Sequence, residues 1–109
     1  MSTEIRDPTF FAMMALADAP RHGYGIIQEV LRLSGGEVRL KAGSLYATLD
    51  RLADERLVSV DGEEVVDGRN RRYYKLTERG CTVLAAESHR RRSMSTEALR
   101  RLRISGRLA

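Results

Sequence analysis

Apolar residues recur at helical spacing in three early stretches and at strand-like spacing in two later ones, and this change of period sets the expected order of elements. Residues 1–6 are polar and read as a loose lead-in. Asp7-Pro8 then offers a helix start, with Asp7 as N-cap and Pro8 pre-set for the first turn, and the spacing predicts helix one to about Asp18. Phe10, Phe11, Met13, Met14 and Leu16 make it apolar on most sides, so it is either the central core helix or a helix that also meets a partner. Ala19-Pro20-Arg21-His22-Gly23 breaks the pattern, and Tyr24 to Leu33 resumes it with Ile27, Val30 and Leu31 on one side. After the Ser34-Gly35-Gly36 turn and a short extended link at residues 37–40, Leu45, Leu49 and Leu52 mark the packing face of helix three. That helix is expected to start near Gly43 or Ser44, with Ser44 as N-cap and an amide-rich end that favours an anion such as phosphate.

The next stretch is β-branched. Leu57-Val58-Ser59-Val60 and Arg71-Arg72-Tyr73-Tyr74-Lys75-Leu76 read as two strands around a turn at Asp67-Gly68, with Arg69, Arg71 and Arg72 at the tip. Alternation puts Tyr74 with Leu76 on one face and Tyr73 with Lys75 on the other, and Tyr74 is expected inside. Thr77 can cap a last helix that carries Glu78 in its first turn, contains no proline and runs nearly to Ile104. Its apolar positions, among them Val83, Leu84, Met94, Ala98, Leu99 and Leu102, are interrupted by His89-Arg90-Arg91-Arg92. A long helix with so incomplete a stripe is expected to pack against another chain, the arginine run being a solvated face or a second nucleic-acid contact. Residues 105–109 are expected to fray. The sum is an α+β, mostly α, winged helix-turn-helix at 7–76, followed by a C-terminal dimerisation helix at 77–104.

Composition narrows the partner. The 109 residues suit one domain, and 19 Lys and Arg against 15 Asp and Glu give a net charge of +4, which fits nucleic acid or another anion. The single cysteine, Cys81, excludes an intrachain disulfide and a CxxC zinc pair; in an early helical position it reads as a packed small hydrophobe. The longest apolar run, residues 10–17, is too short to span a bilayer, and neither a signal peptide nor an anchor is evident, so a cytoplasmic protein is expected. No phosphate loop, dinucleotide fingerprint or H-E-x-x-H occurs, and Cys81, His22 and His89 form no nucleophile pattern. No enzymatic activity, metal or cofactor is therefore expected. His22 reads as a cap or phosphate contact at the start of helix two rather than as a metal ligand or base.

Three motifs in this order resemble the PadR-type transcriptional regulators: His22-Gly23-Tyr24-Gly25-Ile26; Gly43-Ser44-Leu45-Tyr46 with Leu49, Arg51 and Leu52; and Arg71-Arg72-Tyr73-Tyr74-Lys75-Leu76-Thr77-Glu78-Arg79-Gly80. The short C-terminal part is similar to that of the smaller subfamily. The resemblance implies a two-fold dimer, with the last helix of one chain against the first helix of its partner, that represses from a pseudo-palindromic operator and is released by a small molecule or another signal. Position by position it implies DNA contacts at Ser44 and Tyr46 of helix three, a backbone contact at Arg51, and wing contacts at Arg69, Arg71 and Arg72, with Lys41 at the mouth of helix three and His22 and Tyr24 at the start of helix two. It implies a dimer interface drawn from Phe10, Phe11, Met14, Leu84, Met94, Leu99 and Leu102. Two features depart from the family pattern: Arg56 stands where a glycine usually ends helix three, and no tryptophan is present for a paired-tryptophan ligand site. Phe10, Phe11, Met13 and Met14 could line an effector pocket, although such a stripe is more often core.

Two functions fit these residues. The first is a sequence-specific, dimeric DNA-binding regulator. The second is a winged-helix protein-interaction module whose basic wing meets an acidic partner. Preference for one duplex over a random one at matched salt separates them.

Overall fold

A computed structural model describes residues 5–108; residues 1–4 of the lead-in expected to be loose at 1–6, and Ala109 of the tail expected to fray at 105–109, lie outside them. The chain runs α1 (Asp7–Ala15), β1 (Arg21–His22), α2 (Gly23–Leu33), α3 (Ala42–Asp54), β2 (Val58–Val66), β3 (Arg69–Leu76) and α4 (Glu78–Ile104). Three antiparallel strands in the order β1-β3-β2 form the sheet.

Helix α1 is shorter than its apolar run. The Leu16 and Ala17 amides turn back to the carbonyls of Met13 and Met14, and these i to i−3 bonds tighten the chain out of the helix before Asp18. Asp7 is not the N-cap: Arg6 holds that position without a side-chain bond, and Asp7 with Pro8 fills the first turn. Ser44 likewise is not the N-cap of α3. The helix begins at Ala42, capped by Lys41, whose carbonyl accepts the Leu45 amide at 2.9 Å, and Ser44 is already inside the first turn.

The core forms where the helical stripes converge. Ala12 and Met13 of α1 with Leu16 at its C-cap, Ile26 and Val30 of α2, and Leu45, Leu49 and Leu52 of α3 pack with Val58, Tyr74 and Leu84 in one buried cluster. Tyr74 is 4% exposed, as alternation in β3 requires. The α3 to β2 corner is a Schellman turn made without glycine: Arg56 takes φ 61° while the Leu57 amide reaches the Leu52 carbonyl at 2.8 Å.

The hairpin is longer than its β-branched residues. The ladder runs from Val58↔Leu76 to Val66↔Arg69 with a bulge between Val60 and Gly62, and Asp67 (φ 53°) with Gly68 (φ 75°) makes a two-residue turn of the I′ kind. Strand β1 pairs Arg21 with Tyr74 and His22 with Tyr73, so the break between helices one and two caps an otherwise open edge of β3.

Helix α4 starts as expected, with Thr77 Oγ1 accepting the Gly80 amide at 3.0 Å. Leu84 and Glu87 are buried against the rest of the chain, so Leu84 belongs to the core of the single chain and not to a free face. Past Arg91, Met94, Leu99 and Leu102 are 60%, 44% and 40% exposed. Phe10, Phe11 and Met14 are half-buried, the two phenylalanines packed against the core. Cys81 is exposed, contrary to the packed position expected of it. No helix among the described residues is long and apolar enough to cross a membrane.

One arginine of the 90–92 run is not a solvated face. Arg91 donates to Glu87 at 2.8 Å, to Asp7 at 2.9 Å and to the Ile5 carbonyl at 3.0 Å, and lies 4.0 Å over the Phe10 ring, fastening α1 and the chain before it to α4. Ile5, in the lead-in expected to be loose, is buried, and the Arg6 carbonyl accepts the Phe10 amide at 3.0 Å. Hydrogen bonds from Arg90 and Arg91 hold the Glu87 carboxyl below the usual range. The folded chain therefore binds fewer protons there than the unfolded one, and the stability that Glu87 contributes is present above about pH 4.5 and lost as pH falls through its lower folded value. Glu87→Gln is expected to flatten the acid limb of a melting-temperature profile between pH 3 and pH 7, and an unchanged limb contradicts this role.

Candidate nucleic-acid interface

A cleft of about 390 Å³ lies between the start of α2, the outer face of α3 and the tip of the β2-β3 hairpin, lined by His22, Tyr24, Tyr46, Arg69, Asn70, Arg71 and Arg72. Six of these seven were candidates from sequence. Tyr24 and Tyr46 are 61% and 47% exposed, large fractions for aromatic side chains in a folded domain. Lys41 and Ser44 are exposed on the cap and first turn of the same helix as Tyr46. The arrangement offers guanidinium donors, a helix N-terminus and open phenol rings on one surface, which is chemistry for a phosphorylated, ring-bearing partner.

His22 organises the α2 side. Its Nδ1 accepts the Gly25 amide at 3.2 Å, capping α2, while its ring lies edge-on to Tyr73 at 5.2 Å and parallel to Tyr24 at 6.5 Å. Burial, then the nearby Arg71 charge, hold its pKa below the ordinary value, with Glu64 opposing. The ring is therefore neutral at pH 7, as an acceptor must be. Because the unfolded chain takes up the proton near pH 6.5 and the folded chain resists it, this group costs stability as pH falls below that value.

The hairpin is less basic than its tip suggests. Two-residue turning at Asp67-Gly68 sets Glu63 opposite Arg72 and Glu64 opposite Arg71. Glu63 accepts from Arg72 Nε at 3.0 Å and from Asn70 at 3.4 Å, and the Tyr73 hydroxyl donates to Glu64 at 2.5 Å. Across the hairpin, Arg69, Arg71, Arg72 and Lys75 are matched by Asp61, Glu63, Glu64 and Asp67. Helix α4 instead holds Arg79, Arg90, Arg91, Arg92, Arg100, Arg101 and Arg103 against Glu78, Glu87 and Glu97, an excess equal to the +4 of the whole chain.

Arg51 stands apart from the cleft. It is on the side of α3 that faces α1, where its Nη2 donates to the buried Thr9 hydroxyl at 2.6 Å, so its geometry is that of a helix-to-helix tie. Asn70, Tyr73, Glu63 and Glu64 were not singled out from sequence. The hairpin register counted back from the turn places all four. Among the described residues no cluster of His, Cys, Asp and Glu is suited to a metal ion.

Three helices leading into a hairpin whose tip stands beside the third helix define a winged helix-turn-helix, and solved structures share it. A PadR family transcription regulator from Clostridium difficile superposes with a TM-score of 0.72 at 24% identity, over 86% of this chain and 96% of that one. Bacillus subtilis PadR, solved in complex with operator DNA, superposes with a TM-score of 0.67 at 20% identity, over 76% of this chain and 47% of that one. In sequence, the transcriptional regulator Rv3488 of Mycobacterium tuberculosis is 37% identical over 83 residues, covering 76% of this chain and 74% of its own. Two other curated relatives match over 70 and 83 residues, which span 64% and 22% of their own lengths. Residues 13–86 match the model of the transcriptional regulator PadR-like family, and the chain belongs to that family. It is a family of transcription regulators, not of enzymes.

Proposed function

We propose that this protein is a cytoplasmic, homodimeric repressor that binds a pseudo-palindromic operator through residues 7–76, pairs through the helix at 77–104, and is released by a small molecule or another signal. The observation that carries the DNA-binding part is the convergence of Tyr46, Tyr24, His22 and the wing arginines on one exposed cleft. In this reading α3 enters the major groove with Ser44 and Tyr46 toward base edges, while Lys41, His22 and Arg69, Arg71 and Arg72 meet phosphates. The operator complex of the B. subtilis neighbour supports the same use of the fold. The exposed Met94, Leu99 and Leu102 beyond Arg91, with the half-buried Phe10, Phe11 and Met14 of α1, support pairing of two chains.

Titration of the purified protein against a duplex from its own upstream region and against a scrambled duplex, each at two salt concentrations, tests the reading. Tighter binding to the upstream duplex that persists at the higher salt is the expected result. Equal binding to both, erased by salt, counts against it and favours a protein partner for the wing.

A further inference from the structure

Resting on the DNA-binding reading above, we propose that Gly23 is a positioning residue for Tyr46 and, through it, a determinant of which sequences the protein prefers. A Cβ built on Gly23 would stand 2.5 Å from the Tyr46 hydroxyl oxygen, 2.7 Å from Cζ and 3.0 Å from Cε1. These are far inside the roughly 3.5–4.0 Å of ordinary carbon contact. The phenol of the third helix thus lies directly on the first residue of the second.

The backbone gives no other reason for a glycine here. Gly23 is the first residue of α2 and is absent from the residues with positive φ, so alanine fits its conformation and is the better helix former by about 1 kcal/mol. Gly25, two residues on, has its nearest neighbours at 3.6 Å and beyond, so the close approach belongs to Gly23. Tyr46 does not simply reach outward from α3: it leans back on α2 with its ring half-exposed, beside Tyr24 and the wing arginines. A ring confined in this way presents one edge to a bound duplex in one orientation. A methyl group at position 23 displaces it and changes which base step it meets.

The test is a double-mutant cycle. The protein, Gly23→Ala, Tyr46→Ala and the double variant are titrated against the preferred duplex and its single-base variants, with a melting curve for each. Gly23→Ala is expected to reduce the preference among these duplexes about tenfold while the melting temperature holds or rises, and to change it less than about twofold once Tyr46 is alanine. Wild-type preference in Gly23→Ala overturns the proposal, as does an equal loss in both backgrounds, which would place the effect on Gly23 itself. If Gly23→Ala does not fold, the double variant is expected to fold, because removing the ring opens the space, and a double variant that stays unfolded is contrary evidence. A wild-type protein with no preference among duplexes would instead refute the DNA-binding reading, an outcome visible before any variant is made.

Discussion

Replacing Gly80 by alanine is expected to lower the melting temperature by roughly 10–20 °C, the largest effect of a methyl group added at any glycine of the chain. Gly80 is buried in the first turn of α4, and a Cβ there would stand 2.0 Å from the Leu57 carbonyl oxygen and 3.0 Å from its carbon. Both are backbone atoms, and neither can swing aside. The same carbonyl accepts the Thr77 amide at 3.1 Å, and the Thr77 hydroxyl donates to the Arg56 carbonyl at 2.6 Å, so the start of α4 is seated on the corner between α3 and β2. That corner already contains Arg56 in a left-handed conformation, which leaves little freedom to yield. Gly43→Ala is the control: a Cβ there meets nothing within 4 Å, and the substitution is expected to be neutral or to stabilise slightly. A thermal melt of the two variants reads both results, and similar curves would contradict the contact at Leu57.

Removing Arg71 and Arg72 together is expected to weaken binding to every duplex by about a hundredfold near physiological salt, and to reduce the slope of log affinity against log salt by about 2. Both guanidinium groups line the cleft. Arg72 is tied to Glu63 through Nε, and Arg71 stands opposite Glu64 in the ladder. The fold should tolerate the change, because the Arg72–Glu63 pair is at the surface and screened by solvent. Titrations over a series of salt concentrations measure the slope directly. A loss confined to one sequence, with the slope unchanged, would mean that these arginines read bases and that the wing has been assigned the wrong role.

The parts of the fold that follow from a single period were readable from the chain. Leu45, Leu49 and Leu52 are the buried face of α3, Tyr74 is the inward tyrosine of β3, and Thr77 caps a helix that ends at Ile104. Features set by distant residues were not. Strand β1 has two residues and no pattern of its own, existing only because β3 offers an edge. The middle of β2, Asp61-Gly62-Glu63-Glu64, has low strand propensity and is held by the turn at its end and the charged partners opposite. Within one run of three arginines, Arg91 differs from its neighbours because the turn of α4 aims it at Asp7 and Phe10. Arg51 is off the leucine face of α3 and reads as available for a partner, yet Thr9 of α1 stands within its reach.

The candidate site divides in the same way. His22, Tyr24, Tyr46 and the wing arginines carry their chemistry in their identities, whereas the two glutamates beside the arginines appear only once the ladder is counted from Asp67-Gly68. Gly23 is the extreme case: a residue without a side chain, whose part in the cleft depends wholly on where Tyr46 lies.

Selection of tight-binding duplexes from a random library by the purified protein tests most directly whether this chain reads DNA as a pair. The expected result is an enriched sequence with two-fold symmetry and half-sites about one helical turn apart, bound by two chains. Recovery of no common sequence, or of a single half-site bound by one chain, would contradict it.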